Sequence, residues 1–195
     1  MRFILFAAAL LGILFAEDRL LTAAKQNFAE NIEIRADYHN SRAVFEKRRS
    51  ARVAFLGGSI TEMDGYRPMV ADFLKKRFPE TEFTFIDAGI SSTCSTTGAF
   101  RLERDVLSAG PVDLFFVEFA VNDNQDGFFD ETTARRGMEG IIRRLRLSNP
   151  DADMIMTFFV NEPIMADYRA GNEAVSIRTH RQVATLRRLL REFGP

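Results

Sequence analysis

The sequence predicts an α/β protein in which helices cover both faces of a parallel sheet. Short apolar runs alternate along the chain with longer segments whose apolar residues recur at the spacing of a helix. This alternation is typical of strands joined by helical crossovers, which leave the strands parallel. The chain has 195 residues, of which 46% are hydrophobic and 27% charged, so it can bury one sizeable core.

Four strands are predicted from the apolar runs. They are assigned to residues 53–56, 83–86, 114–117 and 154–160. Runs of this kind, with few or no polar residues, are typical of strands that are buried on both faces. Because chemistry in open α/β sheets gathers beyond the carboxyl ends of the strands, the residues that follow each run are the ones to examine for function.

Helices are predicted between and after these strands, at residues 67–78, 97–108, 131–147 and 174–193. Pro68 fits the first turn of the first helix, where a backbone N–H would have no helical partner. We expect each helix to bury an apolar stripe against the sheet. The stripes are Val70, Phe73, Leu74 and Phe78 in the first helix and Met138, Ile141, Ile142 and Leu145 in the third.

The N-terminus has the pattern of a secretory signal. Arg2 is followed by a run of fourteen apolar residues, 3–16, and then by acidic sequence. Fourteen residues are too few to span a bilayer comfortably. We therefore expect residues 1–16 to be a signal peptide, with a buried helix or a short membrane anchor as the alternative. We expect 17–50 to be an N-terminal extension and 51–195 the folded domain. The mature protein is then secreted or periplasmic, without a stable membrane span.

The net charge and the cysteine content limit which partners and covalent links the chain can have. The formal net charge is −1, so nothing in the composition indicates a nucleic-acid partner. Cys94 is the only cysteine, which excludes an intramolecular disulfide. We expect Cys94 to be a small buried thiol rather than a nucleophile.

The turn after the first strand carries the strongest functional signal. The run that ends at Leu56 is followed at once by Gly57, Gly58 and Ser59, and then by a helix-compatible segment. A serine on a tight turn at a strand end is exposed, with its hydroxyl and its own N–H facing one space, which suits a nucleophile in acyl transfer. Glycine-rich turns of this kind also bind phosphate, so the pattern alone leaves both functions open.

Two further strand ends supply hydrogen-bond donors. Gly89 follows the second strand and lets its backbone N–H approach a ligand closely. Asn122 follows the third strand and adds a neutral amide donor. With the N–H of Ser59, these groups can converge on a developing oxyanion. Each residue alone is ordinary turn chemistry, but their order on successive strands favours a catalytic site.

The acidic residues near these strand ends are weaker candidates. Asp87, Asp123 and Asp126 could bind a metal, but no histidine or carboxylate spacing supports a specific site. We therefore expect neither a metal nor a cofactor.

The motifs resemble those of the SGNH hydrolases, also called GDSL-type esterases. Gly57-Gly58-Ser59-Ile60 matches the first block of that family, with Gly58 in place of Asp and Ile60 in place of Leu. Gly89 matches the second block. The third is matched by 120–123, Ala-Val-Asn-Asp, with Ala120 where glycine is usual. The surrounding sequence is also similar to that of exported bacterial members that act on acylated carbohydrates.

The resemblance implies a three-layer α/β/α, flavodoxin-like SGNH hydrolase fold over about residues 50–195. It implies that Ser59 is the nucleophile and that Ser59, Gly89 and Asn122 donate to the oxyanion. It implies a small-molecule or carbohydrate ester as the substrate.

One block of the family is missing. No Asp-x-x-His follows the fourth strand, and the only histidines are His39 and His180. We expect His39 to lie on the surface and His180 to be a core or hydrogen-bonding residue, with a role as catalytic base as the alternative. The simplest hypothesis is an incomplete chain that lacks the last strand and the catalytic loop, and that has little activity because its serine has no base.

Three functions therefore compete. The first is an exported serine ester hydrolase of SGNH type. The second is a non-catalytic carbohydrate-binding pseudoenzyme of the same fold. The third is a phosphate-binding α/β protein, which would need a cation beside the glycine turn, whereas the first one after Ser59 is Arg67.

Overall fold

The computed structural model describes residues 38–172 and 175–183, and four parallel strands form its central sheet. The strands are β1 (Ser50–Gly57), β2 (Glu82–Gly89), β3 (Leu114–Glu118) and β4 (Asp153–Met156), in the spatial order β2-β1-β3-β4. The predicted parallel α/β sheet is confirmed, and all four predicted strands are present.

Helices connect the strands and follow the last of them. They are α1 (His39–Ala43), α2 (Ser59–Glu62), α3 (Tyr66–Arg77), α4 (Ser95–Leu102), α5 (Ala120–Gln125), α6 (Glu131–Ser148), α7 (Glu162–Arg169) and α8 (Val175–Val183). Two π-helical turns, Val44–Arg48 and Glu103–Leu107, extend α1 and α4. The sequence pattern predicted the longer helices and indicated α2 as a helix-compatible segment after the glycine turn. It missed α5 and α7, which are too short to show an apolar period.

Two apolar layers cover the sheet. Ala54 and Leu56 of β1 pack towards α4 and α6, whereas Val53 and Phe55 pack towards α3 and the π-helical turn that follows α1. This alternation is the two-residue period of a strand that is buried on both faces. The predicted stripe of α6 is buried throughout. Helices on both faces of a parallel sheet give the three-layer architecture of the SGNH hydrolases.

Two details of the predicted elements are wrong. Phe73 was placed on the buried stripe of its helix, but it is 63% exposed, because α3 buries a narrow stripe centred on Leu74. The fourth strand was predicted to reach Val160, but it ends at Met156. Phe158 and Phe159 instead pack into a separate apolar cluster with α5, α7 and α8.

The order of the strands fixes where a site can form. The chain leaves β1 towards β2 on one side, and the later strand β3 lies on the other side, so the connections diverge next to β1. Gly57 pairs with Gly89 of β2 and with Glu118 of β3, which places the last residues of three strands in one row. Such a switch point, at the carboxyl end of the sheet, is where ligands bind in open α/β folds.

Two buried carboxylates form hydrogen bonds at the opposite end of the sheet, where the strands begin. Asp153, the first residue of β4, accepts hydrogen bonds from the N–H (2.8 Å) and the hydroxyl (2.7 Å) of Ser41 in α1. Asp113, just before β3, accepts from the N–H of Arg52 at 2.8 Å and pairs with Arg48. Helix α1 is therefore fixed at the amino ends of the strands, away from Ser59.

Several predictions concern parts of the chain outside this description. The signal peptide at 1–16, the extension as far as residue 37 and the end of the last helix, 184–193, lie outside the described residues. Within the described ranges, no helix has the length and apolar character needed to cross a membrane.

Candidate active site

Ser59 lies at the predicted turn. It is the first residue of α2 and follows β1, one of the two inner strands, through Gly58. Its side chain is partly exposed, and no described residue forms a hydrogen bond with its hydroxyl. The N–H groups of the first residues of a helix have no partner within the helix, so the N–H of Ser59 is also available to a ligand. Among the described residues, neither the hydroxyl nor the N–H has a hydrogen-bond partner, which leaves both groups available to one substrate.

Asn122 lies beside this turn, as its position after β3 predicts. It is 2% exposed, within α5, and its amide packs against Gly58. A Cβ atom at Gly58 would lie only 2.3 Å from Asn122 Oδ1. The Asn122 amide therefore fills the space that a side chain at position 58 would need, so this arrangement requires glycine there.

The Asn122 amide is held by one contact. Its Nδ2 donates to Asp126 Oδ2 at 2.7 Å, and its Oδ1 is buried without a hydrogen-bond partner among the described residues. A primary amide carries two N–H groups, so one of them remains for a ligand. Asp126 fixes the orientation of this amide, and the role of Asn122 as an oxyanion donor stays a prediction.

Gly89 contacts the same turn from β2. A Cβ atom there would lie 2.2 Å from the backbone nitrogen of Glu62, so glycine is required for β2 and α2 to approach this closely. The Gly89 N–H donates to Asp87 Oδ1 at 3.0 Å. Asp87 is exposed and also pairs with Arg67 at 3.0 Å. The role of Gly89 as an oxyanion donor stays a prediction.

Glu118 is a member of the site that the sequence reasoning missed. It ends β3, is 1% exposed, and its Oε1 accepts from the Gly58 N–H at 2.9 Å and from the Thr61 hydroxyl at 2.7 Å. Burial raises the pKa of the Glu118 carboxyl, and the two hydrogen bonds oppose that rise. The available signal was a single acidic residue between the apolar Val117 and Phe119.

The raised pKa of Glu118 predicts a pH-dependent stability. Between its ordinary pKa in the unfolded chain and the raised value in the fold, the folded state holds a proton that the unfolded state has lost, so stability falls as pH rises. Glu118→Gln cannot ionise. We expect its Tm relative to wild type to increase as pH is raised from about 4 to about 7. Thermal melts of both proteins across this range test this; a Tm difference that does not change with pH would contradict it.

Neither histidine is hydrogen-bonded to Ser59. His39 is exposed on α1, at the amino ends of the strands. His180 is 1% exposed in α8, and its Nε2 lies 2.8 Å from Asp123 Oδ2. The predictions of a surface His39 and a buried, hydrogen-bonding His180 are confirmed. Asp123 also accepts from the Ser95 N–H at 2.8 Å, so it links α8 and α4 to α5.

The remaining candidates are engaged in other contacts. Asp87, Asp123 and Asp126 each contact a different partner, and no three potential ligands form a metal cluster among the described residues. Cys94 is buried, as predicted, and burial followed by the charges of Asp123 and Asp126 raises its thiol pKa to about 11. A thiol with so high a pKa is a poor nucleophile at neutral pH.

Comparison with known families gives one match that covers most of the chain. A sequence model of the GDSL-like lipase/acylhydrolase family matches residues 55–194. The matched range includes Ser59, Gly89 and Asn122. No curated protein matches the sequence significantly.

Solved structures with the same fold include several esterases. CEX, a two-domain esterase active on acetylated mannans, is 28% identical to this chain, with a TM-score of 0.61. That match covers 77% of this chain and 40% of CEX, so the chain spans about two fifths of the length of this relative.

Two more distant structures show the shared fold alone. AlinE4, an SGNH-hydrolase family esterase, is 20% identical, with a TM-score of 0.52 over 69% of this chain and 68% of that chain. A variant of Axe2, an acetyl xylan esterase from Geobacillus stearothermophilus, is 20% identical, with a TM-score of 0.51 over 71% and 73%.

Proposed function

Since this chain belongs to the GDSL-like lipase/acylhydrolase family, we propose that it is a serine ester hydrolase with Ser59 as its nucleophile. The observation that carries the proposal is the placement of Ser59. It lies at the switch point of the sheet, its hydroxyl forms no hydrogen bond with a described residue, and the Asn122 amide packs against the preceding Gly58. A free hydroxyl next to a fixed amide donor is the arrangement that acyl transfer requires.

The proposed reaction has two steps. Ser59 Oγ bonds to the ester carbonyl carbon and loses its proton to a base, and the alcohol leaves with a proton. Water then cleaves the acyl-serine and releases the acid. In both steps negative charge develops on the carbonyl oxygen. The Ser59 N–H and the Asn122 amide, with the Gly89 N–H if it leaves Asp87, would stabilise that charge.

We propose that the base comes from residues outside those described. His180 is bound to Asp123, and His39 lies at the far end of the sheet, so neither contacts the Ser59 hydroxyl. CEX is more than twice as long as the part of it that this chain matches. A longer protein, in which an aspartate and a histidine beyond residue 195 act on Ser59, is consistent with the positions of the two histidines and with the length of CEX. Sequencing the gene downstream of the codon for Pro195 tests this: an Asp-x-x-His there supports it.

We further propose acetylated polysaccharides as the substrate class and the exterior of the cell as the location. CEX is active on acetylated mannans, and Axe2 is an acetyl xylan esterase. Acetylated mannans and xylans are polysaccharides outside the cytoplasm, and the apolar run at 3–16 resembles the core of an export signal. Recovery of the protein from the medium or the periplasm, with an N-terminus that begins after residue 16, tests the location.

A second candidate function is carbohydrate binding without turnover. The observation that favours it is the absence, among the described residues, of a base that contacts Ser59. In this case the cleft beside Ser59 would bind acetylated mannan, and the serine would remain unreactive.

Covalent trapping separates the two functions. Protein expressed from the complete gene is incubated with a fluorophosphonate, which phosphonylates an activated serine, and the product is digested and analysed by mass spectrometry. We expect a single adduct, on Ser59, and release of acetate from acetylated mannan that stops when the adduct forms. Heat-unfolded protein is the control and should not react. Binding of the mannan without an adduct would favour the second function.

A further inference from the structure

A chain of buried hydrogen bonds holds the turn that carries Ser59. Glu118 Oε1 accepts from the Gly58 N–H on one side of the serine and from the Thr61 hydroxyl on the other. Thr61 is 0% exposed and Glu118 is 1% exposed, so neither group exchanges this contact for water. One carboxyl oxygen therefore spans the residues on both sides of Ser59.

Tyr66 extends this chain of bonds. Its hydroxyl lies 3.0 Å from Thr61 Oγ1. The single hydroxyl proton of Thr61 is directed to Glu118, so Tyr66 is the donor in its contact with Thr61. Burial raises the pKa of Tyr66 to about 12, which keeps its proton in place at neutral pH. Donors therefore run in one direction, from Tyr66 through Thr61 to Glu118.

The backbone of Gly57 is fixed from another direction. Its carbonyl accepts from the guanidinium of Arg101 at 2.9 Å and from the N–H of Ile90 at 3.1 Å. Arg101 is 5% exposed and pairs with Asp105 at 3.1 Å. A Cβ atom at Gly57 would lie 2.3 Å from Glu118 Oε1, so the carboxyl group packs directly on the glycine. The backbone before Ser59 has little freedom to move.

Glu118 is also an unusual group to keep in a core. Its Oε2 is buried without a hydrogen-bond partner among the described residues. A buried polar atom without a partner destabilises a fold, because it loses its hydrogen bonds to water and gains none in return. A residue kept only for stability would be apolar at this strand position, as its neighbours Val117 and Phe119 are. This cost indicates a role other than stability.

We propose that Glu118 is a positioning residue for Ser59: its buried carboxyl group, with the Thr61 hydroxyl, holds the β1–α2 turn in the geometry that presents the serine to the substrate. The proposal rests on the proposed function for the role of Ser59. It assigns Glu118 no contact with substrate. A displacement of about 1 Å in a reacting group can lower a rate by about 10²-fold, so the fixing of this turn affects catalysis directly.

The test compares variants at the two ends of β3. Glu118→Met keeps the length of the side chain but removes the acceptor, and Glu118→Gln keeps an acceptor oxygen for Gly58 and Thr61. Asp113→Ala is the matched control, because Asp113 is a buried carboxylate that accepts a backbone N–H next to the other end of the same strand. Thr61→Val, which preserves the shape of the side chain, removes one of the two bonds and serves if Glu118→Met does not fold.

In protein expressed from the complete gene, we expect Glu118→Met to lower kcat for p-nitrophenyl acetate by about 10-fold to 100-fold, with KM changed less than about threefold. Glu118→Gln should recover kcat to within about threefold of wild type, and Thr61→Val should fall between the two. Asp113→Ala should lower Tm and leave kcat within about twofold. Equal kcat in wild type and Glu118→Met, or equal losses of kcat in Glu118→Met and Asp113→Ala, would overturn the proposal.

Amide hydrogen exchange distinguishes failure of this proposal from failure of the proposed function. If wild-type protein shows no turnover that depends on Ser59, the proposed function fails. The exchange rates of the Gly58 and Ser59 amides still report on the turn. We expect Glu118→Met to accelerate them about tenfold or more and Asp113→Ala to leave them unchanged. Unchanged exchange in Glu118→Met would show that Glu118 does not hold the turn.

Discussion

In protein expressed from the complete gene, replacement of Ser59 by alanine should lower the rate of ester hydrolysis by about 10³-fold or more. The change removes the atom that bonds to the carbonyl carbon, whereas the donors around it, Asn122 and the backbone of the turn, stay in place. The remaining rate is then that of water attacking a bound and polarised ester. Because the Ser59 hydroxyl has no hydrogen bond to a described residue, its loss should leave Tm within about 1 °C of wild type. Initial rates on p-nitrophenyl acetate and on acetylated mannan, with melting curves, measure both effects.

Ser91→Ala is the matched control for this experiment. Ser91 is an exposed serine near the carboxyl end of β2, and both its N–H and its hydroxyl donate to Glu62 in α2. Its loss should change the rate by less than about threefold. Equal losses of rate in Ser59→Ala and Ser91→Ala would show that removing any serine hydroxyl near this turn slows the reaction, and Ser59 would then not be identified as a nucleophile. A full rate in Ser59→Ala would exclude Ser59 as the nucleophile.

The sequence could predict most of the fold because the signals it uses are local. An apolar run such as Val53–Leu56 must be buried on both faces, and the helical spacing from Met138 to Leu145 fixes one face of α6. Both predictions hold. The end of β4 was misplaced because Phe158 and Phe159 are as apolar as the strand before them. Their packing against α5, α7 and α8 is a tertiary preference that no local pattern expresses.

The candidate site was predictable in outline for a different reason. Ser59, Gly89 and Asn122 each follow a strand, and the carboxyl ends of parallel strands meet at one edge of the sheet. The contacts among them follow from register, which the sequence does not show. Gly57 pairs with both Gly89 and Glu118, and this row brings the Glu118 carboxyl over the glycine turn. The sequence therefore shows an acidic residue, Glu118, at the end of an apolar strand, but it does not show that this residue contacts the glycine turn.

The contact between His180 and Asp123 is a second example of a contact that the sequence does not show. The sequence predicted His180 to be a core or hydrogen-bonding residue and left a role as catalytic base as the alternative. Only the packing of α8 against α5 brings its Nε2 to 2.8 Å from the carboxylate. The same contact gives Asp123 a structural partner on one oxygen, while Ser95 N–H donates to the other. The residue that follows Asn122 therefore fixes α5, and this fixes Asn122 beside Gly58.

Replacement of Asn122 by alanine should lower kcat by about 10²-fold to 10³-fold. The amide packs against the Ser59 turn and keeps one N–H for a ligand. We expect it to act on charge that develops only in the transition state, so kcat should fall more than KM rises. Some loss of stability should accompany it, because Asn122 is buried and bonds to Asp126 at 2.7 Å. Rates on p-nitrophenyl acetate under saturating conditions, with melting curves, separate the two effects.

Asn161→Ala separates catalysis from stability. Asn161 caps α7 by accepting the Ile164 N–H at 3.0 Å, and its Nδ2 donates to Gln125 at the end of α5. Loss of a helix cap destabilises a protein by about 1 kcal/mol, so this variant should lose stability comparably to Asn122→Ala while it keeps kcat within about threefold of wild type. Similar kcat losses in the two asparagine variants would mean that Asn122 acts through the fold. If the two variants have equal Tm but only Asn122→Ala loses kcat, the amide acts as a donor to the oxyanion. Stability alone would predict equal kcat in two variants of equal Tm.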